Sequence, residues 1–588
     1  MEDQPARSPW LPFFVLSLIA FVGSCVALAV VLANSVGGHS PSSLAANPNP
    51  FEPGDTDGQP QVLKYSGSLP ATLDQSLFQG ALDPGDADVV FGSGDGPDSF
   101  VRRYFVPVVP LHAAIDSVTR AQLEELVGGR LAFSDVGGRG GVPTFMAANA
   151  RADVPVIAGF TSAPAQVVDG DTYEALFAAM ADPDADIIAF VPLDQLNARV
   201  SALAVDGIDL ARGAGDPAAW PFVERISLEG KTKRGKEAVP QLRAQLEVPP
   251  PHITRVIATG DILQSRCSLA AIEATGDWGA ALRGPVGEYL AAADLALGSL
   301  DGSIQDIGEP YLCVPMEWPN LTSPPQVMEA LTLAGIDEVT VATNHIFDCG
   351  QQFCGTQAFT RTLQLLDQAG IKHVGGGANL EAALAPAIFE VNGVTFGILG
   401  FDDVAAYELE ATDTEPGTAP LDDSYAEENA AGEPAFFRPA SELSLTRFTQ
   451  RIQQLKQQVD VVIVQVQSGT EDTHDPSPRS LKALRAAADA GADLVVGNQA
   501  HHVQAVETRG DTFIAYALGN FIFDQTHTPE HTQGFLLEAS FLGKKLLNVK
   551  MVPYQIEDKY KPTFVDGALR TKILGDVFDA SARLPAQD

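Results

Sequence analysis

The strongest feature of the hydropathy pattern is an unbroken apolar run near the N-terminus. Residues 10–33 are apolar apart from isolated serines, and no residue between Arg7 and Glu52 carries a formal charge. A helix of about 20 apolar residues is long enough to cross the ~30 Å hydrocarbon core of a bilayer. The run therefore predicts a transmembrane anchor within residues 1–36, with the bulk of the chain extracellular. A cleaved signal peptide is the alternative, although its apolar region is ordinarily shorter and ends in a small-x-small pattern.

The next segment, residues 37–62, has no apolar periodicity. It is rich in Pro, Gly, Ser and Asn and has few large apolar side chains. Such a composition cannot bury enough apolar surface to fold, so we predict a flexible linker that lifts the folded part away from the membrane.

From residue 63 to residue 245, short apolar runs alternate with helical stretches. The run at 105–111 is typical of a strand, and residues 120–127 are typical of a helix with Thr119 and Gln122 as its capping box. Further apolar runs at 184–192 and 203–207 are typical of strands. This pattern predicts a first α/β domain.

A proline cluster near residue 250 precedes a second domain, residues 246–560, in which strands and helices alternate more regularly. Strands are predicted near Val256, Val339 and Thr395 and at 461–466, 493–498 and 513–523, and helices at 355–368, 445–457 and 480–490. The alternation predicts an α/β domain whose functional loops gather at strand ends. The acidic stretch 402–434 is predicted to be an exposed, mobile loop, and residues 561–588 a C-terminal tail.

Charge and length narrow the classes of partner. The chain has 588 residues, more than one hydrophobic core usually supports. Its 75 acidic and 37 basic residues give a formal charge of -38, which argues against a nucleic-acid or anionic-lipid partner. No P-loop and no GxGxxG after a strand is found, so no nucleotide or flavin cofactor is predicted.

Four of the five cysteines fall in the second domain, at Cys267, Cys313, Cys349 and Cys354. An extracellular location would allow them to form disulfides. Three pairings can be drawn, and four free thiols are a further alternative. We favour Cys267 with Cys313 and Cys349 with Cys354. A zinc site is not predicted, because the spacings lack a paired C-x-x-C.

Polar residues directly follow several predicted strands of the second domain. They combine carboxylate, amide and imidazole groups: Asp261, Asp301, Asn344, His345, Asp348, Gln467, Glu471, Gln499, His501 and His502. One such residue is usually a loop cap, but hard and borderline divalent ions require this mixture of groups. Five polar loops in one α/β domain therefore predict a metal site.

The order of these motifs resembles the CapA or PGA-cap family, in which GD, NLE, NNHxxDxG, HWGxE, GHHPH and SLGNFxFD follow one another. The corresponding segments here are Gly260-Asp261, Ser299-Leu300-Asp301, Thr343-Asn344-His345 with Asp348 and Gly350, Gln467-Ser468-Gly469 with Glu471, residues 497–501, and residues 517–525. The resemblance spans residues 257–525. It implies an αββα sandwich similar to calcineurin-like metallophosphoesterases and a role in synthesis, export or anchoring of a poly-γ-glutamate-like capsule polymer.

The resemblance also implies a site. Asp261, Asp301, Asn344 and His501, together with Gln467 and Gln499, would hold one or two divalent ions such as Mn, Fe or Zn. Asp261 and His345 would take part in metal-assisted hydrolysis or transfer, with His345 stabilising or protonating the leaving group.

The sequence departs from the family at the ligands themselves. The family's NLE is Ser-Leu-Asp here, the histidine of HWG is Gln467, and the first histidine of HPH is Gln499. Glutamine is a weaker, neutral ligand for a transition metal. The sequence therefore leaves both alternatives open, a site that binds metal and catalyses and a site that has lost both properties. Three hypotheses follow: an envelope enzyme or assembly factor, a degenerate module that binds an envelope polymer, and an extracellular metallophosphoesterase.

In the first domain, residues 106–138 resemble the phosphate-binding periplasmic protein family. The shared features are a VP-containing strand, a following helix and a DVGG loop. The resemblance implies a partial periplasmic-binding-protein-like domain over residues 63–244. Its ligand is not predicted, because no set of hydroxyls and helix N-termini suited to phosphate is evident.

Overall fold

The computed structural model describes residues 62–70, 72–81, 83–94, 98–147, 160, 167–169, 172–313, 320–350, 353–423 and 443–587. The predicted anchor at 10–33 and nearly all of the predicted linker lie outside these residues. Within the described ranges, no helix is both long and apolar enough to cross a bilayer.

The chain divides into two compact units. The first comprises the residues up to Phe100 together with Arg225–Glu247, and the second comprises Val101–Glu224 together with the residues from Val248 onward. The predicted domain of residues 63–245 therefore contributes to both units.

The first unit is a small sheet with one helix packed on it. Its strands are Leu63–Gly67, Phe78–Gly80, Val89–Ser93 and the end of Val223–Gly230. The helix Lys233–Leu246 begins after Thr232, whose hydroxyl accepts a hydrogen bond from the Gly235 amide at 3.1 Å. Its apolar face packs on the strands through Ala238, Leu242 and Leu246.

In the second unit, residues 101–224 surround a core of their own. The helix Arg120–Val127 begins at the capping box of Thr119 and Gln122, which confirms that prediction. The predicted strands are also found, as Phe100–Pro110, Ile187–Pro192 and Ala204–Val205. Further elements in the described part of this segment include the helix Tyr173–Met180 and the strands Ser117–Val118, Thr144–Ala147, Val167–Asp169 and Val200–Ala202.

The rest of the second unit contains two larger sheets. Their strands, in chain order, are β1 (Ile253–Ile262), β2 (Leu295–Leu300), β3 (Glu338–Thr340), β4 (Lys372–Val374), β5 (Ala387–Val391), β6 (Val394–Asp402), β7 (Val461–Gln467), β8 (Leu494–Asn498), β9 (Val506–Arg509), β10 (Thr512–Ala515), β11 (Asn520–Ile522), β12 (Gln533–Leu542), β13 (Lys545–Glu557) and β14 (Lys561–Phe564). The first sheet has the order β4-β3-β2-β1-β12-β13-β14, with β11 also paired to β1, and the second has the order β5-β6-β7-β8-β10-β9.

Helices cover the outer face of each sheet. The helices, in chain order, are α1 (Arg266–Thr275), α2 (Pro285–Ala291), α3 (Met328–Leu333), α4 (Gln357–Ala369), α5 (Leu380–Ala383), α6 (Thr446–Lys456), α7 (Pro478–Asp489) and α8 (Gly567–Ser581). Helices α1–α4 share a core with the first sheet, and α6 and α7 share one with the second. A third core lies between the sheets, so the predicted α/β class is confirmed.

The alternation of residues along the central strands explains the layers. In β7, Val461 and Ile463 lie in the core between the sheets, whereas Val462 and Val464 lie in the core under the helices. Successive side chains of a strand point to opposite faces, so a continuous apolar run is needed when both faces are buried. The same parity places the polar Gln465 and Gln467 on the inner face of β7.

Three segments differ from the predictions. The strand predicted at 513–523 is broken, because the chain leaves the second sheet after β10, turns through Gly519 at φ +81° and joins the first sheet as β11. The predicted exposed loop is only partly correct over its described part, residues 402–423, because residues 407–408 and 412–415 are exposed whereas others are buried. There Thr418, Ala419 and Leu421 are fully buried, since the apolar pair fills the core under the second sheet.

The segment predicted as a C-terminal tail contains the helix α8. Its residues Ile573, Leu574 and Val577 are buried in the core between the sheets. The pattern of buried residues along Gly567–Ser581 is that of a helix packed along one face.

Two disulfides join Cys267 to Cys313 and Cys349 to Cys354, which confirms the favoured pairing. Both lie in the part of the chain that contributes helices α1 and α4. The second closes a loop of only a few residues ahead of α4.

A buried ion cluster connects residues 101–224 to the two-sheet part of the second unit. The carboxylate of Glu538 on β12 accepts hydrogen bonds from Arg212 at 2.6 and 2.8 Å and from Arg255 at 2.9 and 3.1 Å. It also accepts one from the Tyr289 hydroxyl. Burial alone would raise the pKa of Glu538, but these donors and their charges lower it to about 2.

Candidate metal centre

The candidate centre lies where strands of the two sheets end. Asp261 is near the end of β1 and Asp301 directly follows β2 in the first sheet, while Gln467 ends β7 and Gln499 directly follows β8 in the second. Strands β1 and β2 are parallel, as are β7 and β8, so their carboxyl ends lie at one edge of each sheet. Functional side chains of α/β domains commonly emerge at this edge.

A β-bulge turns Asp261 toward the space between the sheets. Ala258 pairs with Leu297 and Asp261 pairs with Ser299, so β1 carries one residue more than β2 over this interval. The extra residue reverses the facing of the side chains that follow it. Gly260 is needed at the bulge, because a Cβ atom there would lie 1.9 Å from the Gly519 carbonyl oxygen.

Asp301 carries the clearest sign of a cation site. Its side chain is 0% exposed, and neither carboxylate oxygen has a hydrogen-bond partner among the residues that the structure describes. The Asn344 side-chain oxygen is likewise buried without a partner in the described part of the chain. A buried carboxylate requires a compensating charge or donors, so these oxygens fit a bound cation.

His501 is held in a defined orientation by Asn520. His501 Nδ1 lies 2.8 Å from Asn520 Oδ1, while the Asn520 amide nitrogen donates to Gln525 and to the His531 carbonyl. The amide oxygen must therefore accept from Nδ1–H, which leaves the lone pair on His501 Nε2. Imidazoles that ligate metals are commonly held by a hydrogen bond to the other ring nitrogen.

The backbone around His501 is strained. Gln499 and His501 have φ values of 93° and 56°, in a region that residues other than glycine rarely adopt. Such strain costs roughly 1–3 kcal/mol per residue and is concentrated at functional sites.

Asp261, Asp301 and His501 come together. One ligand atom from each lies within 4.8 Å of the other two, and all three residues are buried. Burial, followed by the neighbouring charge of Asp301, raises the pKa of Asp261 well above its usual range, although His501 and Ser299 oppose the shift. Groups able to ligate a metal are therefore present in a dry, negatively charged space, and their arrangement suits a divalent ion.

The two glutamines are hydrogen-bonded to the same group of residues. Gln467 Nε2 donates to Gln499 Oε1 at 3.0 Å and approaches Asp261 Oδ1 at 3.5 Å, and Gln499 Nε2 donates to Glu471 at 3.2 Å. Ser299 donates to Asp261 at 2.9 Å. In this arrangement both amide nitrogens act as donors, which suits one ion held by the two aspartates and His501 better than two ions.

His345 lies at the edge of this group. Its Nδ1 is 2.8 Å from Asp348 Oδ2, and its side chain is 17% exposed. Burial acts to lower the pKa of His345, but the hydrogen bond to Asp348 and the charges of Asp301, Asp348 and Glu471 raise it overall. The imidazole is thus suited to holding a proton.

Ser299, Gln465 and Asn520 belong to the candidate centre, but the sequence alone predicted no role for them. Gln465 donates to the Gly298 carbonyl at 3.1 Å and so bridges β7 and β2. A signal was present for two of them, since Ser299 and Gln465 are polar residues at inner-facing positions of otherwise apolar strands. Asn520 is part of the motif at residues 517–525, but its role was not predictable, because its position depends on how the chain crosses between the sheets.

Comparisons with known proteins found similarity to capsule-synthesis proteins. Residues 255–525 match the family model "Bacterial capsule synthesis protein PGA_cap". The PGA biosynthesis protein CapA of Bacillus subtilis (strain 168) is 34% identical over 188 residues, which cover 32% of this chain and 42% of that protein. The capsule biosynthesis protein CapA of Bacillus anthracis is 29% identical over 209 residues, which cover 36% and 45%. The chain thus spans less than half the length of each of these relatives.

Among solved structures, an ABC-type phosphate transport receptor from Vibrio cholerae is similar over 28% of this chain and 74% of that chain, with 17% identity and a TM-score of 0.22. A TM-score this low supports no inference, so the resemblance of residues 63–244 to phosphate-binding proteins stays a prediction. The match over residues 255–525 contains every motif of the candidate centre. This region, a little under half of the chain, is therefore similar to the PGA_cap family.

Proposed function

We propose that the chain acts outside the cell membrane in the synthesis, export or anchoring of an anionic envelope polymer of the poly-γ-glutamate type. The PGA_cap domain would serve as a metal-dependent hydrolase or transferase, with the two sheets and their outer helices as a metallophosphoesterase-like sandwich. The observation that carries the proposal is Asp301, a buried carboxylate without a described donor, beside Asp261 and His501. The two CapA relatives support the link to a capsule polymer.

Each residue has a distinct task in this proposal. Asp261, Asp301 and His501 would hold a divalent ion such as Mn²⁺, Fe²⁺ or Zn²⁺, which when bound polarises a phosphoryl or acyl oxygen and lowers the pKa of water. Asn520 fixes the tautomer of His501, and Ser299 fixes the carboxylate of Asp261. His345 keeps a proton on the nitrogen that faces away from Asp348, from which it can protonate a leaving group.

A membrane anchor at residues 10–33 and an extracellular location belong to the same proposal. Two disulfides support it, because disulfides persist in oxidising compartments and are rare in the cytosol. A protease applied to whole cells that removes the folded part and leaves a short membrane-bound fragment would support the proposed orientation.

A second candidate function is a binding module without catalysis. The hydrogen-bonded pair of Gln467 and Gln499 favours it, because both residues stand where the family has histidines and both donate through their amide nitrogens. In that case the domain would recognise an envelope polymer but not cleave or transfer it.

The test is metal content and activity of the full chain. We would measure Mn, Fe and Zn by elemental analysis in the wild type and in the Asp301→Asn and His501→Ala variants, with Asp306→Asn as a matched control. Asp306 is an exposed carboxylate paired with Arg361 at 2.8 Å. We expect near-stoichiometric metal in the wild type and in the control, and its loss only in the first two variants. If the wild type holds no metal after incubation with these ions, the metal-dependent enzyme is excluded and the non-catalytic binding module is supported.

Activity then separates the remaining hypotheses. The metal-loaded chain would be assayed on γ-linked glutamate oligomers and on a phosphomonoester, with His345→Asn as the variant that keeps metal and loses turnover. Turnover of the oligomers alone supports the polymer enzyme, and turnover of the phosphomonoester alone supports a phosphoesterase. Metal binding without either turnover would contradict a catalytic role on these substrates.

A further inference from the structure

A second group of ligating side chains lies next to the candidate centre and takes no part in it. Four histidines from three loops form a continuous cluster: His474 follows β7, His502 follows β8, and His527 and His531 follow β11. Ring centroids are 5.2 Å apart for His474 and His502, 4.4 Å for His502 and His531, and 3.9 Å for His527 and His531. Four of the ten histidines in the chain therefore meet in one place.

The centre of this cluster is the pair His502 and His531. His502 Nε2 and His531 Nδ1 face each other at 3.3 Å, and both residues are buried. Two nitrogen ligands of a tetrahedral zinc ion, each at about 2.0–2.1 Å from the metal, lie about 3.4 Å from each other. Without a metal, the N–H group of one imidazole would donate a hydrogen bond to the other. The distance between the two nitrogens also suits one cation bound to both of them in place of that proton.

Asp472 sets the orientation of His531. Its Oδ1 accepts a hydrogen bond from His531 Nε2 at 2.6 Å. The proton held on Nε2 leaves the lone pair of His531 Nδ1 directed at His502. A carboxylate that orients an imidazole in this way is the usual outer partner of a metal-bound histidine.

Two further histidines flank the pair. His474 Nδ1 donates to the Val503 carbonyl at 2.7 Å, so its Nε2 keeps a lone pair. His527 is exposed and its ring lies against that of His531. The Thr528 hydroxyl lies 2.8 Å from His531 Nδ1 and competes with a cation for that nitrogen.

We propose that His502 and His531, with Asp472 orienting His531 and with His474 or His527 as a further ligand, form a second metal site for a borderline divalent ion such as Zn²⁺. Imidazole suits zinc and copper, whereas magnesium, calcium and manganese favour oxygen ligands. The site is distinct from the carboxylate-based centre and does not depend on the proposed function. Its ion would join the loops that follow β7, β8 and β11, and the second of these loops also carries His501.

The test uses the full chain carrying Asp301→Asn, so that the first centre is disabled and only the second is observed. Zinc is removed with a chelator and returned in a calorimetric titration, and X-ray absorption counts the imidazoles around the bound ion. We expect one equivalent of zinc with at least two imidazole ligands. His502→Gln and His531→Gln should each weaken binding at least 100-fold, and His252→Gln, an exposed histidine elsewhere, should leave it unchanged.

Two milder variants keep the test decisive where a buried histidine variant fails to fold. Asp472→Asn, at an exposed residue, should weaken zinc binding about 10- to 100-fold, as the loss of outer carboxylates does in known sites. Thr528→Ala should strengthen binding, because it removes the competing hydroxyl. The proposal is overturned if the folded Asp301→Asn chain binds no zinc, if its zinc has only oxygen ligands, or if neither Asp472→Asn nor Thr528→Ala changes the affinity.

Discussion

Replacing Asp301 with asparagine should stabilise the metal-free protein and remove its stabilisation by metal. Asparagine keeps the shape of the side chain and deletes its charge. In the metal-free protein the Asp301 carboxylate is fully buried, has no described hydrogen-bond partner, and lies within 4.8 Å of a carboxylate oxygen of Asp261. Removing a charge that repels Asp261 and has no described donor should help folding by more than the lost attraction to His345 costs, because Asp348 still lies beside that imidazole.

The size of the effect follows from that distance. At 4.8 Å, the upper limit of the separation between the two oxygens, two unit charges repel by about 3.5 kcal/mol at an effective dielectric constant of 20. Because the pKa of Asp261 is raised, partial protonation of that carboxyl relieves some of this repulsion, so we expect the variant to gain about 2 kcal/mol in the free energy of unfolding when metal is absent. At a divalent ion concentration of 1,000 times Kd the wild type gains about 4 kcal/mol and the variant gains little, so their order of stability reverses.

Urea unfolding of the full chain, first with a chelator and then with Mn²⁺, measures both quantities. Asp306→Asn is the control, because it removes an exposed carboxylate that contributes less than about 1 kcal/mol and should leave the metal response intact. A loss of more than about 1 kcal/mol for Asp301→Asn under chelator would show that Asp301 has a stabilising partner in the metal-free state. Equal stabilisation of both proteins by metal would refute its role as a ligand.

Three further predictions concern stability. Glu538→Gln should cost about 3 kcal/mol at pH 7, because the pKa of Glu538 falls from its ordinary 4.5 to about 2 on folding. That stabilisation is present above pH 4.5 and is lost as the pH falls toward 2. Urea unfolding at pH 7, 5, 4 and 3 should therefore show the difference in stability between the variant and the wild type becoming smaller. Gly260→Ala should destabilise the protein by about 3 kcal/mol or more in the same assay, since its Cβ would lie 1.9 Å from the Gly519 carbonyl oxygen. The control Gly80→Ala has no atom within 4 Å of its Cβ and should cost under about 1 kcal/mol. Similar losses for the two variants would contradict the role given to Gly260 at the bulge. Replacing Cys267 and Cys313 with serines should cost about 4 kcal/mol, and replacing Cys349 and Cys354 about 2 kcal/mol. The sequence separations are 46 and 5 residues, and a disulfide that closes a longer loop constrains the unfolded chain more. Thermal unfolding that ranks the two variants the other way would contradict this prediction.

The elements that the sequence predicted correctly are those whose signal is local. The strand β7 is a continuous apolar run because both of its faces are buried, and the helix Arg120–Val127 begins at a capping box that can be recognised from Thr119 and Gln122 alone. The break between β10 and β11 was harder, because it depends on which sheet the chain joins.

The candidate centre was likewise predictable only where its signal is local in the sequence. Strand-end position placed Asp261, Asp301 and His501 among ten candidates, and the family resemblance implied that they hold a metal; the structure brings the three together. The facing of Asp261 was not predictable, since it depends on a bulge that only the pairing with β2 reveals. The cluster of His474, His502 and His531 was also not predictable, because its members come from three loops and no spacing in the sequence relates them.

Asn520 ties together ligands that come from different sheets. Its backbone pairs with Asp261 in the first sheet, and its side chain holds His501 on the loop that follows the second. The gap between carboxylate and imidazole is thus set by one backbone pairing and one amide hydrogen bond. A cavity fixed in this way cannot widen for a larger ion without breaking one of the two, and rigid cavities choose between cations by radius. The crossing of the chain between the sheets therefore determines which ion sizes the centre accepts.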